Sequence, residues 1–495
     1  MIGPGTRAPG GGSLRGRLAF LAKDSVIYGL SAAFNKSFAL ITFPLLARHF
    51  SVAEYGLIDF VNVMVALLAT ALIFGQDSAI ARFLHRLDSD DERREMAAEG
   101  ALMQVGLAVV LSATAFLAAD PIARAIGYDG LDSTTVRLAI AIVPCQVLIN
   151  YSQTLLKWTF RRKAFISLSL GSVMANLVLL LLAVLWLDCS VNGAIAVTLC
   201  CKATTAAIGL WLNRAWVRFP SRMRYAGELA RYAAPYGIAC LLGAAMPVVE
   251  RTTIGGMLGA DQIGLYAGAA KVAAMVALFV GAFETAWGPF HLAIHREDGA
   301  QRTFNVVLDL LTTALCATCL LLAAASPWLL PLLASSKFDG ASVAVFPLAM
   351  AVVTRAIGWV LAIGIGISMK SGWSLISEAV SAIALVAGIV TLTPAFGIAG
   401  TAFGVLGGQL TKTAAVYWAA QRAHPMQWSL RMPMIVFGLA VTGGGIATAI
   451  AATQSVAAGS AGFACTAACV LAVSLGRVGR EKWAIARRLM LRRGA

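Results

Sequence analysis

Residues 164–187 read AFISLSLGSVMANLVLLLLAVLWL, an uncharged run between the basic residues 161–163 and Asp188. A helix that crosses the hydrocarbon core of a bilayer needs roughly 20 mainly apolar residues, and this run is long enough. Trp186 lies near its end, where an amphipathic ring suits the lipid headgroup layer. The run therefore predicts a membrane-spanning helix whose basic flank faces the cytoplasm.

Runs of this kind recur along the whole chain. Hydrophobic residues make up 59% of the 495 residues and charged residues only 13%, against about 25% charged in soluble proteins. We predict an all-α integral membrane protein with fourteen transmembrane helices. The predicted spans are 26–47, 57–75, 98–118, 138–156, 164–187, 193–213, 232–250, 267–288, 303–325, 342–367, 374–392, 398–419, 433–452 and 456–476.

The positions of Lys and Arg predict the orientation in the membrane. With fourteen spans, both termini share one side with the even-numbered loops, and this side holds 29 of the 39 Lys and Arg residues. The other side holds Arg48, Arg124, Arg137 and Lys337. Because cytoplasmic loops carry the excess of Lys and Arg, both termini are predicted to be cytoplasmic. The net charge of +15 follows from this orientation and gives no indication of nucleic-acid binding.

Matching positions recur in the two halves of the chain, about 205 residues apart. Gly56–Leu57 matches Gly264–Leu265, and Gly193 matches Gly400. Further pairs are His85–Arg86 with His295–Arg296, Pro144 with Pro347, Lys163 with Lys370, and Ser167–Leu168 with Ser374–Leu375. Chance is the alternative, because Gly, Pro and Leu are common. A duplication predicts two six-helix lobes related by a pseudo-twofold axis along the membrane normal, since an even number of spans brings both halves into the membrane from the same side.

This duplication divides the chain into a series of segments. They are a disordered cytoplasmic tail (1–23), an N-lobe of helices 1–6 (24–215), a cytoplasmic linker (216–231), a C-lobe of helices 7–12 (232–420), helices 13 and 14 (421–476) and a basic cytoplasmic tail (477–495). Helices 13 and 14 fall outside the duplication and are predicted to belong to neither lobe.

Two cations near the middle of predicted spans indicate a binding cavity. Lys36 lies in the first span and Arg355 in the tenth. A charge at the bilayer centre costs about 2.5–3.5 kcal/mol on insertion scales, so it normally faces a cavity or a partner. Because Arg binds phosphate groups through paired hydrogen bonds, we predict a cavity for a phosphate or pyrophosphate. Four further cations are candidates for this cavity: Arg251, Lys271, Lys202 and Lys412.

Other polar residues within spans are candidates for supporting roles. Two stripes at helical spacing are predicted to line the cavity, Tyr28, Ser31 and Asn35 on the first span and Gln146, Asn150 and Gln153 on the fourth. Four carboxylates are candidates for ion coupling: Asp24, Glu284, Asp309 and Glu378.

Most of these charges also have a purely structural interpretation. Glu250 and Arg251 would be solvated at the outer mouth of a cavity. Lys271, Glu284 and Lys412 would extend toward a helix end and reach water there. Glu378 and Asp309 would each pair with a cation and hold two helices together. Lys36 and Arg355 fit these alternatives least well, because each lies near the middle of its span.

No cofactor is predicted. The chain contains no glycine-rich nucleotide motif, so ATP is not a predicted ligand. Cys316 and Cys319 lie in mid-span without a His or acidic partner, and His291 and His295 lack a third ligand, so no metal site is predicted. Residues 76–87 show an amphipathic pattern that predicts an interfacial helix or an extension of the second span.

The chain resembles a known group of transporters. Residues 44–48, PLLAR, followed by Glu54, Tyr55 and Gly56, resemble the first-helix signature of polysaccharide flippases in the multidrug/oligosaccharidyl-lipid/polysaccharide exporter superfamily. Residues 264–266, 338–347 and 397–400 resemble its second-half motifs, and the similarity extends over residues 24–420. The lipid II flippase branch, in which an extra helix pair forms a groove for the lipid tail, is similar in its fourteen helices.

This resemblance implies a flippase that is not an enzyme. Two six-helix lobes would surround a cavity and carry an undecaprenyl-pyrophosphate-linked oligosaccharide outward across the bacterial inner membrane by alternating access. It also implies that cavity cations such as Lys36 and Arg355 contact the pyrophosphate, and that a polysaccharide polymerase and export machinery are partners.

Two alternatives remain open. A cation-coupled multidrug exporter of the same superfamily usually needs a carboxylate buried in its first lobe. We expect no acid well inside a span of the N-terminal half, because Asp24 lies at the mouth of the first helix, and this disfavours the exporter. A membrane enzyme such as a polymerase or acyltransferase is disfavoured because the chain shows no long external loop and no His/Asp constellation.

Overall fold

The computed structural model describes residues 38, 40–84, 86–87, 89–128, 130–216, 218–220, 222–294, 299–368, 372–453 and 455–493. Several predicted features lie outside these residues: the tail of residues 1–23, the site residues Asp24, Tyr28, Ser31, Asn35 and Lys36, and His85, His295, Arg296 and Lys370 of the matching pairs.

All regular secondary structure among the described residues is helical. The helices are α1 (40–49), α2 (Val52–Ile73), α3 (Gln76–Leu84), α4 (Asp90–Ala101), α5 (Leu107–Leu117), α6 (Ala119–Ile126), α7 (Ser133–Trp158), α8 (Arg162–Leu187), α9 (Val191–Leu212), α10 (Ala226–Leu258), α11 (Ala260–Ile294), α12 (Ala300–Leu333), α13 (Ser342–Leu361), α14 (Ile363–Ser368), α15 (Gly372–Ala423), α16 (Arg431–Thr453) and α17 (Val456–Arg493). A π-helical turn, Leu102–Gly106, joins α4 to α5, and a 3₁₀ helix, Ser336–Ala341, precedes α13.

Twelve helical segments of the described residues are long and apolar enough to cross a membrane. Large apolar side chains cover their outside, as shown by Leu185 and Val110, which are 64% and 60% exposed. Such a surface is suited to lipid and would be costly in water. The protein is therefore a multi-pass membrane protein. The first predicted span lies mostly outside the described residues, so the number fourteen stays a prediction.

Helix α15 contains two of the predicted spans. Its backbone leaves the helical conformation at Gly397, with φ 58° and ψ −141°. The hydroxyl of Ser381 donates to the carbonyl of Gly408 over 2.9 Å, and the hydroxyls of Thr393 and Thr401 lie 2.8 Å apart. These contacts show that residues 372–396 and 398–423 run antiparallel, as the predicted eleventh and twelfth helices.

We divide the helices into two lobes at the boundary that the sequence predicts. Helices α1–α9 make the first lobe, whose core includes Val61, Val147 and Ile195, and α10–α15 make the second. Helices α16 and α17 pack against the second lobe, where the ring of Phe463 lies 5.4 Å from that of Phe346. We call the end of the bundle at which α2 begins the outer end, because the charge bias predicts that it faces outward.

Polar caps fix several helix starts at the outer end. Ser51 and Glu54 form a capping box at the start of α2. Asp132 caps α7 and accepts hydrogen bonds from the hydroxyl and the backbone N–H of Thr135, at 2.5 and 2.8 Å. The hydroxyl of Thr135 is the main reason that the pKa of the Asp132 carboxyl lies below its ordinary value. These caps satisfy backbone donors that a helix end leaves free.

The amphipathic segment after α2 differs from its prediction. Helix α3 is separated from α2 by a turn at Phe74 and Gly75, whose φ angles are 43° and 72°. Its apolar face, with Ile80 and Phe83, packs against Met96 of α4 and buried residues of α10. The segment is therefore neither an extension of the second span nor a helix that buries this face in lipid.

Candidate functional site

The two lobes meet closely where α2 of the first lobe contacts α11 of the second. A Cβ atom built on Gly56 would lie 2.7 Å from the backbone nitrogen of Gly264, and one built on Gly264 would lie 1.9 Å from the carbonyl oxygen of Val52. Only glycine allows so close an approach of two backbones. Gly56 and Gly264 are a matching pair of the predicted duplication, and their contact agrees with a position near the predicted pseudo-twofold axis.

A buried group of charged side chains lies at the same interface. Nε of Arg251 on α10 donates to Oδ2 of Asp59 on α2 over 3.1 Å, and its Nη1 donates to Oε2 of Glu250 over 2.8 Å. Nζ of Lys271 on α11 lies 3.4 Å from Oδ1 of Asp59. The hydroxyl of Tyr266 donates to Glu250 over 2.8 Å. We call Asp59, Glu250, Arg251, Tyr266 and Lys271 the interlobe charge cluster.

The cluster joins the lobes through a single carboxylate of the first lobe. Asp59 supplies both oxygens to cations of the second lobe, and its side chain is only 6% exposed. Asp59 lies seven residues after the start of α2, or about 10 Å along the helix at 1.5 Å per residue. The cluster is therefore within the membrane, toward the outer end. Its two acids and two bases balance in charge.

Two sequence-based expectations are wrong here. Asp59 is a buried acid inside a span of the N-terminal half, where we expected none. Glu250 and Arg251 are each 7% exposed and are not solvated at a cavity mouth. A lone acid between Ile58 and Phe60 was a usable signal, because such a residue in an apolar run needs a partner.

Lys271 is the member of the cluster that reaches open space. Its side chain is 34% exposed, against 9% for Arg251. It lines a cleft of about 350 Å³, including the open mouth. The cleft lies between α1, α2 and α11, and its other lining residues are Thr42, Phe43, Leu46, Tyr55, Ile58, Asp59 and Asn62. A polar group that enters the cleft can therefore meet the ammonium of Lys271 and the amide of Asn62.

Aromatic rings and one arginine close the lobe contact at the outer end. The ring of Phe338 lies 5.7 Å from Tyr55 and 6.0 Å from Phe43. Arg48 at the end of α1 donates to the carbonyl of Leu332 over 2.5 Å, near the end of α12. A cation suits a helix C-terminus, where carbonyl groups lack partners and the helix dipole is negative.

Among the described residues, the other predicted cations lie apart from this cluster. Nζ of Lys202 donates to Oε1 of Gln146 over 2.8 Å within the first lobe. Lys412 pairs with Glu378 within the second lobe, between the two halves of α15. Arg355 on α13 is half-buried, and its Nε has no hydrogen-bond partner among the described residues. Only Arg251 and Lys271, of the six predicted cations, lie together in the part of the chain that the structure describes.

The remaining site residues that the structure describes lie on α7, α11 and α12. Asn150 and Gln153 are half-buried on α7, on the same side of the helix as Gln146. Glu284 on α11 and Asp309 on α12 are also half-buried. In the described residues, no three His, Cys, Asp or Glu side chains are placed to share a metal ion.

Solved structures share this fold. The lipid II flippase MurJ in an inward closed conformation is similar with a TM-score of 0.69, 11% identity and coverage of 92% of this chain and 99% of that chain. The transporter VcmN, a MATE protein of Vibrio cholerae, matches with a TM-score of 0.57, 14% identity and coverage of 82% and 97%. A MOP superfamily transporter of Pyrococcus furiosus matches with a TM-score of 0.53, 18% identity and coverage of 81% and 95%. At these identities the likeness concerns the fold.

The sequence itself identifies the family. A search of curated proteins found no significant match. Residues 21–295, more than half of the chain, match the sequence profile of a family described as "Polysaccharide biosynthesis protein". This match and the two-lobe helical fold agree with the resemblance found in the sequence. The chain belongs to the polysaccharide biosynthesis protein family and has the fold shared by MurJ and MATE transporters.

Proposed function

We propose that this protein is a flippase for an undecaprenyl-pyrophosphate-linked oligosaccharide in the bacterial inner membrane, with both termini in the cytoplasm. The observation that carries this proposal is the family match over residues 21–295. The likeness of the fold to that of the lipid II flippase MurJ supports a lipid-linked substrate. The oligosaccharide would pass from the flippase to a polymerase and export machinery, and the flippase itself would form or break no covalent bond.

Alternating access requires the lobes to part at one end while they stay in contact at the other. At the outer end, the pairs that must separate are Asp59 with Arg251 and Gly56 with Gly264. At the opposite end, which we call the inner end, Gly75 and Gly237 must separate. Because the sequence contains no nucleotide motif, we assign the driving force to an ion gradient, a substrate gradient or a partner. Asp24, Glu284, Asp309 and Glu378 stay candidates for ion coupling.

The substrate would be held by charge at one part and by hydrogen bonds at another. Lys36, Arg355 and Lys271 are proposed to contact the pyrophosphate. In this conformation Arg251 is engaged by Asp59 and Glu250, so we assign it to holding the lobes together. Lys202 and Lys412 already bind Gln146 and Glu378 and would contact substrate only after exchange. The sugars would lie along Gln146, Asn150 and Gln153, and along Tyr28, Ser31 and Asn35.

Asp59 favours one second candidate, the cation-coupled multidrug exporter, since that function needs a carboxylate buried in the first lobe. Here the carboxylate is paired with Arg251 and Lys271, both from the other lobe. A carboxylate that two cations neutralise is less available to a coupling cation. This pairing supports the flippase over the exporter.

Deletion of the gene tests the two functions directly. The flippase predicts loss of surface polysaccharide and accumulation of the lipid-linked precursor, with normal drug tolerance. Drug sensitivity with intact polysaccharide would instead establish the exporter.

Complementation with variants then tests the cationic cavity. Arg355→Ala should lower polysaccharide export at least about tenfold, because a hydrogen bond to a charged group contributes about 1.5–3 kcal/mol. Lys36→Ala should act in the same direction. Arg137→Ala is the matched control, since its ion pair with Asp120 is exposed. Unchanged export by Arg355→Ala, with the protein present in the membrane, would exclude the proposed role of this residue.

A further inference from the structure

The two cations that share Asp59 differ in their surroundings. Arg251 contacts Asp59 at 3.1 Å, with 9% of its side chain exposed, and it also binds Glu250. Lys271 contacts Asp59 at 3.4 Å with 34% of its side chain exposed, in the wall of the cleft. Water weakens a charge interaction and allows partners to exchange. The contact of Lys271 with Asp59 is therefore the exchangeable half of the cluster.

A change at Lys271 also alters the contact between the lobes. Lys271 and Arg251 belong to the second lobe, and Asp59 to the first. When Lys271 binds another group, Arg251 is the one cation of the cluster left to pair with both Asp59 and Glu250. The buried carboxylate of Asp59 then loses one of its two cationic partners. Removing one partner from a buried ionic group is strongly destabilising. A ligand that takes Lys271 therefore weakens the outer contact between the lobes.

We propose that an anionic phosphate or diphosphate ester, on entering the cleft between α1, α2 and α11, takes Lys271 from Asp59 and so promotes opening of the outer end. The choice of ligand class rests on the proposed flippase function. Asp59 is a positioning residue in this scheme: it holds Lys271 until the anion arrives and holds Arg251 while the lobes are closed. An uncharged lipid in the same cleft leaves the ion pair intact.

Linkage gives this proposal a second consequence. A ligand shifts an equilibrium between two states only as far as its affinities for them differ. If anion binding promotes opening, then a substitution that promotes opening must raise the affinity for the anion. Asp59→Asn should therefore open the outer end and also strengthen binding of a diphosphate. A residue with a merely structural role would weaken or spare binding on substitution.

A buried position on α1 can report the opening. Ala47 is fully buried in the core of the second lobe, although α1 belongs to the first. In a variant whose nine native cysteines are replaced by serine, and which still supports polysaccharide export in cells, Ala47→Cys can be labelled by a polar maleimide only when the lobes part. The labelling rate of the purified full-length protein in an uncharged detergent would be measured alone and with farnesyl diphosphate, inorganic pyrophosphate or farnesol.

The expected pattern is specific. Farnesyl diphosphate should accelerate labelling several-fold, and farnesol should not. If inorganic pyrophosphate also accelerates labelling, the anion alone causes the effect. If inorganic pyrophosphate does not accelerate labelling, the lipid chain is required as well. Asp59→Asn should label about tenfold faster without ligand and bind radiolabelled farnesyl diphosphate more tightly. Asp120→Asn is the matched control, because it breaks an ion pair with Arg137 inside one lobe, at residues with no proposed role in binding or coupling, and should leave the labelling rate unchanged.

Two variants of Lys271 keep the test decisive if Asp59→Asn fails to fold, because this side chain is partly exposed. Lys271→Arg should keep the response to diphosphate, and Lys271→Gln should lose it. Equal labelling of Asp59→Asn and Asp120→Asn, or acceleration by farnesol, would overturn the proposal. So would indifference of the unsubstituted protein to diphosphate. In that case the gene deletion shows which proposal has failed. Loss of polysaccharide would support the flippase function and reject only the role of Lys271. Drug sensitivity without loss of polysaccharide would reject both the flippase function and the role of Lys271.

Discussion

The two ends of the lobe interface are built differently. At the outer end, Asp59, Arg251 and Lys271 form ion pairs across the interface beside an open cleft. At the inner end, α2 and α10 meet through glycine: a Cβ atom on Gly75 would lie 2.7 Å from the backbone nitrogen of Gly237, and one on Gly237 would lie 2.5 Å from the carbonyl oxygen of Phe74. The outer end therefore combines buried ion pairs with the close contact of Gly56 and Gly264, whereas the contact of Gly75 with Gly237 at the inner end is made by backbone and glycine.

This difference bears on how a charged substrate could drive a cycle. An anion can compete for Lys271 at the outer end. The buried carboxylate of Asp59 is fully compensated only while both Arg251 and Lys271 are paired with it. The close glycine contact at the inner end offers no charge for the anion to compete with. We therefore expect substrate charge to act on the outer end, and residue volume at Gly237 to affect the inner end without changing the response to charge.

Removal of Arg251 should break the outer end most strongly. Arg251→Ala leaves Asp59 and Glu250 buried with Lys271 as the remaining cation of the cluster. Removing one partner from a buried ion pair costs about 3–5 kcal/mol. We expect a large fall in the melting temperature of the purified protein and faster labelling of Ala47→Cys. Arg251→Lys should recover part of both, and a melting temperature unchanged by Arg251→Ala would contradict the importance of the ion pairs.

A methyl group at Gly264 should open the same end without touching a charge. In Gly264→Ala the new Cβ would lie 1.9 Å from the carbonyl oxygen of Val52, a backbone atom that cannot turn aside. Overpacking of this kind costs about 1–3 kcal/mol. The matched control is Gly256→Ala on the neighbouring helix, where a Cβ atom would meet nothing within 4 Å. Equal effects of the two substitutions on maleimide labelling of Ala47→Cys would refute the importance of the contact between Gly56 and Gly264.

Local composition was enough to predict most of the fold. The predicted span 164–187 is observed as Arg162–Leu187, and 193–213 as Val191–Leu212. Hydropathy and helix length determine such a span by themselves, since a membrane leaves few other conformations open to an apolar run. The matching glycines at 56 and 264 were also informative, because they lie at a close contact between α2 and α11.

The site was harder to predict because its partners are distant in sequence. Asp59 meets Arg251 across 192 positions, and nothing near Asp59 in the sequence indicates a cation. Charge alone also does not distinguish a cavity residue from a structural ion pair. Lys412 was a candidate for the cavity, yet it pairs with Glu378. The structural alternative for Glu378 was such a pair with a cation.

Corresponding positions of the two predicted repeats also differ in their chemistry. At the contact between the fifth and sixth helices of the first lobe, the hydroxyls of Ser172 and Thr205 lie 3.1 Å apart. Glu378 and Lys412 occupy nearly the corresponding positions of the second lobe, at the equivalent helix contact. A repeat in sequence therefore predicts which helices meet, while the chemistry at the contact has to be seen in the structure.

A methyl group at Gly237, at the inner end, should have the smallest effect on stability of the substitutions considered. In Gly237→Ala the new Cβ would lie 2.5 Å from the carbonyl oxygen of Phe74 and 2.7 Å from the ring of the same residue. This approach is less severe than the 1.9 Å at Gly264, and Phe74 lies in a turn, which can shift more readily than a helix interior. We expect a loss of stability near the lower end of the range for overpacking, about 1 kcal/mol.

The contrast lies in what Gly237→Ala should leave intact. The substitution changes no charge, and the interlobe charge cluster lies about 20 Å away along α10, at 1.5 Å for each of 14 residues between positions 237 and 251. Farnesyl diphosphate should therefore accelerate labelling of Ala47→Cys in this variant by the same factor as in the unsubstituted protein. A cysteine placed at Ala233, which is fully buried on α10 near the inner end, should become more reactive. If Gly237→Ala instead abolished the response to diphosphate, the two ends would be coupled rigidly, and charge and shape could not act at separate ends of the interface.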